Sequence, residues 1–289
     1  MLNANTILYA EDWSVKLQER LDKPTIWKEI CNVVYTDTQT LKNPYGTDAA
    51  VQTTARDSAY AHQSVTVTTD SIAITSIGIL PQRIDRADLA QTTYASQMVL
   101  AESQGTLLDE YLEAQVMGAY SQSTDFGDVG GGVLGLAATQ FTVSSTNVDD
   151  VIRGIKREIR KANGQAKLAR DGGFIVWRPA DFELLEAFVQ ANGFSTADGA
   201  LKDGTNQGFR YMGMDHFASN SLTANHLLGG VKKAVTLGIC KSTYGQVVVD
   251  SEPATADGAL SAIAVISRVD YAVKVFTKMV PVVFDINVV

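Results

Sequence analysis

The sequence contains few of the residues that usually build metal sites and disulfide frameworks. It has two cysteines and three histidines among 289 residues, and none of these histidines stands at metal-ligand spacing from another His or a Cys. Cys31 and Cys240 lie in dissimilar contexts, and we interpret both as reduced, buried thiols. The sequence therefore predicts no metal site and no disulfide, and it favours a reducing compartment.

Charged residues and long apolar runs are also scarce. Asp, Glu, Lys and Arg make up 19% of the chain, and the formal net charge is -8. A negative chain repels phosphate backbones, which argues against binding nucleic acid by neutralising phosphates. No apolar run approaches the roughly 20 residues of a membrane span, and the N-terminus lacks the pattern of a signal peptide. We expect a folded protein that is neither exported nor membrane-bound.

Motifs that could carry chemistry fail on their context. Gly130–Gly135 matches G-x-G-x-x-G, but a dinucleotide site needs a hydrophobic strand before the glycines and a helix after them. We interpret residues 122–135 as a flexible, polar connector instead. Ser58 and His62 could pair, yet they lie in a loop without the strained turn of a nucleophilic serine. The sequence predicts no catalytic residue, no cofactor site and no enzyme activity.

Residues 1–42 indicate an N-terminal arm. Trp13, Leu17 and Leu21 fall on one face of a short predicted helix, and this stretch has no obvious core of its own. Asn43–Gly46 follows the arm as a turn signal.

From about residue 47 to 75 the chain is rich in Thr, Ser, Ala and Gln and nearly free of large aliphatic residues before Val65. Ser64–Thr68 and Ser71–Ile79 each alternate polar with apolar residues, which predicts a long two-stranded excursion. Such isolated hairpins are marginally stable in water. We therefore expect another subunit to lie beneath it.

Pro81 leads into a long predicted helix with Asp85 or Asp88 as its cap, running to about Ser121. Gly105 falls in the middle of this helix, where it predicts a bend or close packing.

The second half of the chain mixes helices and strands. A helix capped by Asn147 has acidic residues in its first turn and basic residues in its last turn. Phe174–Trp177 predicts a buried strand, and Pro179 opens another helix. Val231–Ile239 is strand-like, and from Ala262 onward the chain is almost wholly β-like.

This order of elements resembles the Hong Kong 97-type (HK97-like) capsid fold of tailed phages. The resemblance covers nearly the whole chain. It is carried by Ile79–Ala90, which looks like the family's passage into its spine helix, by Phe174–Phe182, which looks like a strand and helix of its axial domain, and by Leu227–Val235, which looks like a late axial strand. None of these strings is diagnostic alone, and their order is the signal.

The resemblance implies an α+β fold with an N-terminal arm, an extended β-hairpin loop, a long spine helix, a peripheral β-sheet and a mixed α/β axial domain. The implied parts are the arm (1–42), the extended loop (43–80), the peripheral domain with its spine helix (81–135), the axial domain (136–258) and the return strands of the peripheral domain (259–289).

The resemblance also implies a function. The chain would be a major capsid protein that assembles through its own copies into hexamers and pentamers, and then into an icosahedral shell around double-stranded DNA that it does not bind sequence-specifically. A portal would be a partner, with scaffolding or decoration proteins as further candidates. The protein would belong to the virion and be assembled in the cytoplasm of the host bacterium.

Six residues are candidate assembly contacts: Trp13, Trp27, Tyr45, Arg56, Asp57 and Tyr60. Two other functions stay open at this point. An encapsulin-like compartment would use the same fold around a protein cargo, whereas a soluble α/β enzyme would need a convergent polar site that the sequence does not reveal.

Overall fold

The computed structural model describes residues 25–46, 49–85, 96–192, 208–250 and 262–289. The predicted arm helix with Trp13, Leu17 and Leu21, and the predicted cap Asp88, lie outside the described residues.

The described residues form five α-helices and fourteen strands. The helices are α1 (Trp27–Ile30), α2 (Ser96–Met117), α3 (Val148–Lys161), α4 (Gln165–Asp171) and α5 (Pro179–Ala191). The strands are β1 (Asn32–Thr36), β2 (Thr40–Gly46), β3 (Val67–Ala73), β4 (Ser76–Asp85), β5 (Thr124–Asp128), β6 (Leu134–Gly135), β7 (Gly173–Trp177), β8 (Gly208–Tyr211), β9 (Met214–Ala218), β10 (His226–Val231), β11 (Val235–Cys240), β12 (Gln246–Asp250), β13 (Ala262–Val275) and β14 (Val283–Asn287). Short 3₁₀ turns span Gly118–Gln122 and Val280–Val282.

A five-stranded sheet is built around β13. On one edge β13 pairs antiparallel with β4, from Ala262 opposite Asp85 to Tyr271 opposite Ser76. On its other edge it pairs first with β12 and then with β11. β1 lies parallel to β11 and completes the sheet.

Helix α2 packs on this sheet against β13 and β4. Leu108, Leu112 and Val116 repeat at helical spacing and are buried in the main core. The hydroxyls of Tyr111 on α2 and Tyr271 on β13 share a hydrogen bond of 2.8 Å. The predicted long helix is confirmed over Ser96–Met117, and it forms one layer over the sheet.

A seven-stranded sheet in the order β6-β5-β14-β10-β7-β9-β8 forms the second layered unit. Strand β7 is buried along its whole length, and α3 and α5 bury Ile152, Ile155 and Leu185. Helix α3 approaches β5 so closely that a Cβ on Gly154 would lie 2.6 Å from the Phe126 ring. Only glycine allows this contact without a shift of the helix.

Several predictions from local signals are confirmed. Helix α3 starts directly after Asn147 and carries the acidic first turn and basic last turn. The buried strand at Phe174–Trp177 and the helix opened by Pro179 are also present. One detail differs: the Asn147 side chain accepts from the Ser144 N–H at 2.8 Å and donates to the Thr142 carbonyl at 2.9 Å, so it shapes the preceding loop and does not cap the helix.

Three local predictions are wrong. Asn43–Gly46 is strand and not turn, since Pro44 lies opposite Thr69 in a two-stranded pair whose outer edges tolerate a missing N–H. Pro81 and Asp85 also lie in a strand, because β4 continues alongside β13 to Asp85. Asp85 is therefore no helix cap.

The connector and the late strands are organised differently from the sequence-based prediction. Residues 122–135 contain β5 and β6 of the seven-stranded sheet, so they are not simply a flexible connector. The predicted strand Val231–Ile239 is divided by a turn, and its two parts belong to different sheets. Among the described residues, no neighbouring atom lies within 4 Å of the Cβ position at Gly105, so they show no close packing there.

The predicted boundary at residue 258 does not follow the sheets. Strand β12 lies before this boundary and pairs with β13 in the five-stranded sheet, whereas β14 lies after it and pairs with β10 and β5 in the seven-stranded sheet. The chain therefore crosses between the two sheets more often than a single boundary would allow.

His216 on β9 is a buried polar residue with both ring nitrogens engaged. The Trp177 indole N–H donates to its Nδ1 at 3.0 Å, so the ring proton lies on Nε2, 3.2 Å from the Tyr211 carbonyl oxygen. Burial lowers the pKa of His216 to about 4. The imidazole is therefore held neutral at pH 7.

We predict that His216 makes the fold acid-sensitive. The unfolded chain takes up a proton between about pH 6.5 and 4 that the folded chain excludes, so stability present above pH 6.5 is lost as the pH falls, by about 3 kcal/mol. Urea unfolding across this range should show the loss in the wild type and a smaller loss in H216Q, whose amide keeps both hydrogen-bonding roles. The exposed-histidine variant H62Q is the control; equal slopes in wild type and H216Q would contradict the assignment.

Candidate assembly surfaces

A two-stranded ribbon projects from the subunit. β2 and β3 pair antiparallel from Thr40 opposite Ala73 to Gly46 opposite Val67, and they form a sheet separate from the other two. The predicted two-stranded excursion is present, but its strands are β2 and β3, and the downstream part of Ser71–Ile79 belongs to β4 instead.

Asp70 fastens the ribbon to the end of β13. Its carboxylate accepts from Lys274 Nζ at 2.5 Å and from the backbone N–H and the hydroxyl of Thr277, both at 2.9 Å. Lys274 also donates to the Ser71 carbonyl at 2.6 Å. The hydrogen bond from Lys274 is the main cause that lowers the pKa of Asp70 to about 2.

A small apolar cluster supports the same junction. Ile72 and Ile74 pack with Ala272 and Phe276 from the end of β13, and Leu41 of β2 borders them. This cluster is separate from the main core. The root of the ribbon is therefore fixed by both charge and packing, while the rest of the ribbon has no hydrophobic face.

Beyond the paired strands, residues 49–66 form no helix or strand and are exposed throughout. The two limbs are joined by side-chain amides: Gln63 accepts from the Ala50 N–H at 2.9 Å and donates to its carbonyl at 3.0 Å. Val51 is 97% exposed and Tyr60 is 70% exposed. A chain segment of this length with no cover in its own subunit is suited to lie on another molecule.

The structure separates the predicted contact residues into groups. Arg56, Asp57 and Tyr60 are exposed in the segment 49–66, and Asp57 has a positive φ of 74° at its turn. Tyr45 lies on the ribbon, with Lys278 5.5 Å from its ring. These four residues belong to one projection, made of the ribbon and the segment 49–66.

Trp27 requires a correction. It is fully buried in the main core of its own subunit, so its ring has no surface to offer a neighbour. The hydrophobic character of tryptophan suggested a contact, but burial within the subunit satisfies it equally well. Trp13 lies outside the described residues.

The sequence analysis missed one exposed surface. On the five-stranded sheet, Ile77, Ile79 and Val248 are 49%, 51% and 57% exposed. Across the sheet, Val248 on β12 lies opposite Ile266 on β13, and Ile266 lies opposite Pro81 on β4. An open face of an antiparallel sheet is usually polar. Here Pro81, Ile266 and Val248 form one apolar row across β4, β13 and β12, while Ile79 and Ile77 lie opposite Arg268 and Asp270, so this face is a candidate contact surface. The alternating isoleucines at 77 and 79 were the available signal.

The described part of the chain shows no arrangement typical of a membrane span or a metal centre. None of its helices is both long enough and apolar enough to cross a membrane. Within those same residues, no three His, Cys, Asp or Glu side chains are grouped as metal ligands.

Comparison with solved structures shows a likeness over nearly the full length. A chain of Mycobacterium phage Che8 superposes with a TM-score of 0.71 at 16% identity, covering 98% of each chain. The capsid of a native GTA particle gives 0.67 at 13% identity, covering 99% of this chain and 97% of that one. The capsid of Ralstonia phage GP4 gives 0.64 at 11% identity, with the same coverage. No family model and no curated protein matches the sequence.

The chain therefore has the α+β fold of phage capsid subunits. This likeness agrees with the Hong Kong 97-like capsid fold that the order of the sequence elements resembles.

We predict that D70A loosens the ribbon without unfolding the subunit. The substitution removes three hydrogen bonds to a charged group and leaves Lys274 without its carboxylate partner, a loss of about 1–3 kcal/mol at the junction. Hydrogen exchange of residues 40–46 and 67–73 should become at least tenfold faster, while β7 stays protected. K42A, which changes an exposed ribbon side chain, is the control, and unchanged ribbon exchange in D70A would refute the anchoring role.

Proposed function

We propose that this chain is the major capsid protein of a tailed phage, and that its copies assemble as hexamers and pentamers into an icosahedral shell around the genome. The observation that carries the proposal is the uncovered ribbon with its exposed segment 49–66, on a fold shared over its full length with phage capsid chains. A lone subunit gains little from this projection, whereas an assembled one can cover it.

In this proposal the arm lies within residues 1–42. The ribbon of β2 and β3 with residues 49–66 is the part of the predicted loop (43–80) that lies over a neighbour, because residues 76–80 pair with β13 of their own subunit. Helix α2 is the spine of a peripheral domain that contains the five-stranded sheet. The seven-stranded sheet with α3, α4 and α5 is the axial domain, which meets its copies around five-fold and six-fold axes. We place β12 in the peripheral domain and β14 in the axial domain, because β12 pairs with β13 and β14 pairs with β10.

Two unmatched surfaces on one chain support self-assembly. The exposed segment of the ribbon carries Val51, Tyr60 and Val65, and the open face of the five-stranded sheet carries Ile77 and Ile79. A contact between different surfaces of identical chains is head-to-tail, and such contacts form closed rings when the rotation between copies closes. We infer that the ribbon of one copy lies over the open sheet face of the next.

The charge of the chain suits a container. With a net charge of -8 the subunit does not attract phosphate as a whole, so it would enclose double-stranded DNA without sequence-specific binding. The proposed location is the virion, after assembly in the bacterial cytoplasm. A portal, and scaffolding or decoration proteins, are the partners that such a shell would need or accept.

Microscopy and the contents of the particles distinguish the proposed capsid from an encapsulin-like compartment and from a soluble enzyme. The purified protein should form closed icosahedral particles, or rings of five and six copies, in negative-stain microscopy. Double-stranded DNA inside particles from infected cells supports the capsid, whereas a single co-purifying protein cargo indicates an encapsulin-like compartment. A persistent monodisperse monomer would contradict shell formation and favour the soluble enzyme.

We predict that deleting residues 49–66 abolishes shells and leaves the subunit folded. Gly46 pairs with Val67, so the deletion leaves Thr47 and Asp48 as a two-residue connection between the strands. The substitutions T47N and D48G are added to the deletion variant because Asn-Gly favours a type I′ turn. Circular dichroism and melting should match the wild type, while microscopy shows no particles. A Gly/Ser segment of equal length is the control for spacing, and normal particles from the deletion would refute the role of this segment.

We also predict that Y60A weakens assembly alone. Because Tyr60 is exposed, its loss should change subunit stability by less than about 0.5 kcal/mol. Buried interface tyrosines commonly contribute more than about 1 kcal/mol, so the subunit concentration needed for assembly should rise about tenfold. Light scattering against concentration measures this threshold, with T54A in the same segment as the control. An unchanged threshold in Y60A would remove Tyr60 from the contact.

A further inference from the structure

Glu113 is a fully buried carboxylate near the C-terminal end of α2. Its Oε2 accepts the backbone N–H groups of Ile26 at 3.0 Å and Trp27 at 2.9 Å. Its Oε1 accepts the hydroxyl of Ser219 at 3.3 Å. A single side chain thus receives three hydrogen bonds from two other segments of the chain.

These bonds join parts of the molecule that are far apart in sequence. Ile26 and Trp27 stand at the start of α1, where the first N–H groups of a helix have no acceptor of their own, and Glu113 supplies it from another helix. Ser219 follows β9, and its N–H donates to the Trp177 carbonyl at 3.0 Å. Glu113 therefore ties the beginning of the described chain to the helix over one sheet and to the edge of the other.

No cation compensates this carboxylate among the described residues. On α1 the ammonium of Lys28 pairs with Asp109 at 3.1 Å, and Asp109 also accepts the Tyr244 hydroxyl at 2.9 Å. Glu29 on α1 is exposed. A buried anion without a counter-charge costs free energy unless it takes up a proton.

The other titratable neighbours do not supply a positive charge either. The Cys31 thiol beyond α1 is buried, and burial together with Glu113 raises its pKa, so it stays neutral. Glu110, one turn earlier on α2, is acidic and buried. On β9 the nearest titratable ring, His216, is neutral and engaged with Trp177.

We propose that Glu113 is a positioning residue that latches the N-terminal segment onto the subunit, holding it when the carboxyl group is protonated and loosening it when the group is ionised. The protonated group keeps an oxygen for the two backbone N–H groups. The ionised group favours opening of α1, because opening exposes the charge to water. The latch is a property of the subunit and goes beyond the proposed function, on which it does not depend.

The direction of the pH effect follows from the environment of the group. Burial raises the pKa of Glu113 to about 7 against the opposing effect of its three hydrogen bonds. The closed state therefore binds a proton that the open state releases, so the latch is tightest in acid, weakens as the pH rises from about 4.5 to about 7, and changes little above that. The equilibrium constant for opening of α1 changes tenfold for each unit by which the pKa of Glu113 differs between the closed and open states. It therefore rises by about two orders of magnitude at most.

The test is hydrogen exchange of the full-length protein from pH 5 to 8.5, corrected for the intrinsic rates, on peptides that span residues 22–36. In the wild type we expect protection of α1 to fall at least tenfold with rising pH, while β7 stays constant. In E113Q protection should stay high and flat, because the amide oxygen accepts both N–H groups and the amide NH₂ can donate to Ser219. In E113A protection should be low at every pH.

S219A is the matched control, since it removes a hydrogen bond to the ionised group and should move the transition to higher pH. Constant protection in the wild type, or an E113Q slope equal to the wild-type slope, would overturn the latch. Shell formation is scored separately by microscopy, so failure of the latch and failure of the proposed function give different results.

Discussion

The backbone of β13 forms hydrogen-bonded ladders on both of its edges, and the five-stranded sheet exists because of them. β4 uses one edge, and β12 and β11 share the other. Helix α2 packs against β13, and Lys274 near its end holds the root of the ribbon through Asp70. Helix α2 and the root of the ribbon are therefore both held by β13.

This arrangement leaves two surfaces of the subunit exposed, the segment 49–66 and one face of the five-stranded sheet. The ribbon is fixed at its root by Asp70 and by the Ile72–Phe276 cluster, yet residues 49–66 contact nothing that covers them. On the five-stranded sheet an apolar row faces outward. A rigid root matters because an interface formed by a mobile projection would have to overcome the cost of ordering it. Geometry set within one subunit can then determine geometry between subunits.

Two buried polar side chains, His216 and Glu113, connect different elements of the fold. His216 is held neutral between Trp177 and Tyr211, and Glu113 connects α2 to α1 and Ser219. Burial shifts their pKa values in opposite directions: it lowers the pKa of the imidazole and raises the pKa of the carboxyl group. Each shift favours the neutral form, which is the general effect of removing an ionisable group from water.

The sequence by itself determined the elements whose signals are local. Helix α3 after Asn147, the buried strand at Phe174–Trp177, the helix from Pro179 and the aliphatic-poor projection all follow from residue propensity, the charges at the helix ends and hydrophobic periodicity. Only the tertiary structure decided which strands share a sheet, that Pro81 and Asp85 continue a strand, and that Trp27 faces the core. It also revealed the bonds of Asp70 to Lys274 and of Glu113 to Ile26, whose partners lie 204 and 87 residues away. Backbone pairing and buried charge depend on partners distant in sequence, and no local pattern specifies them.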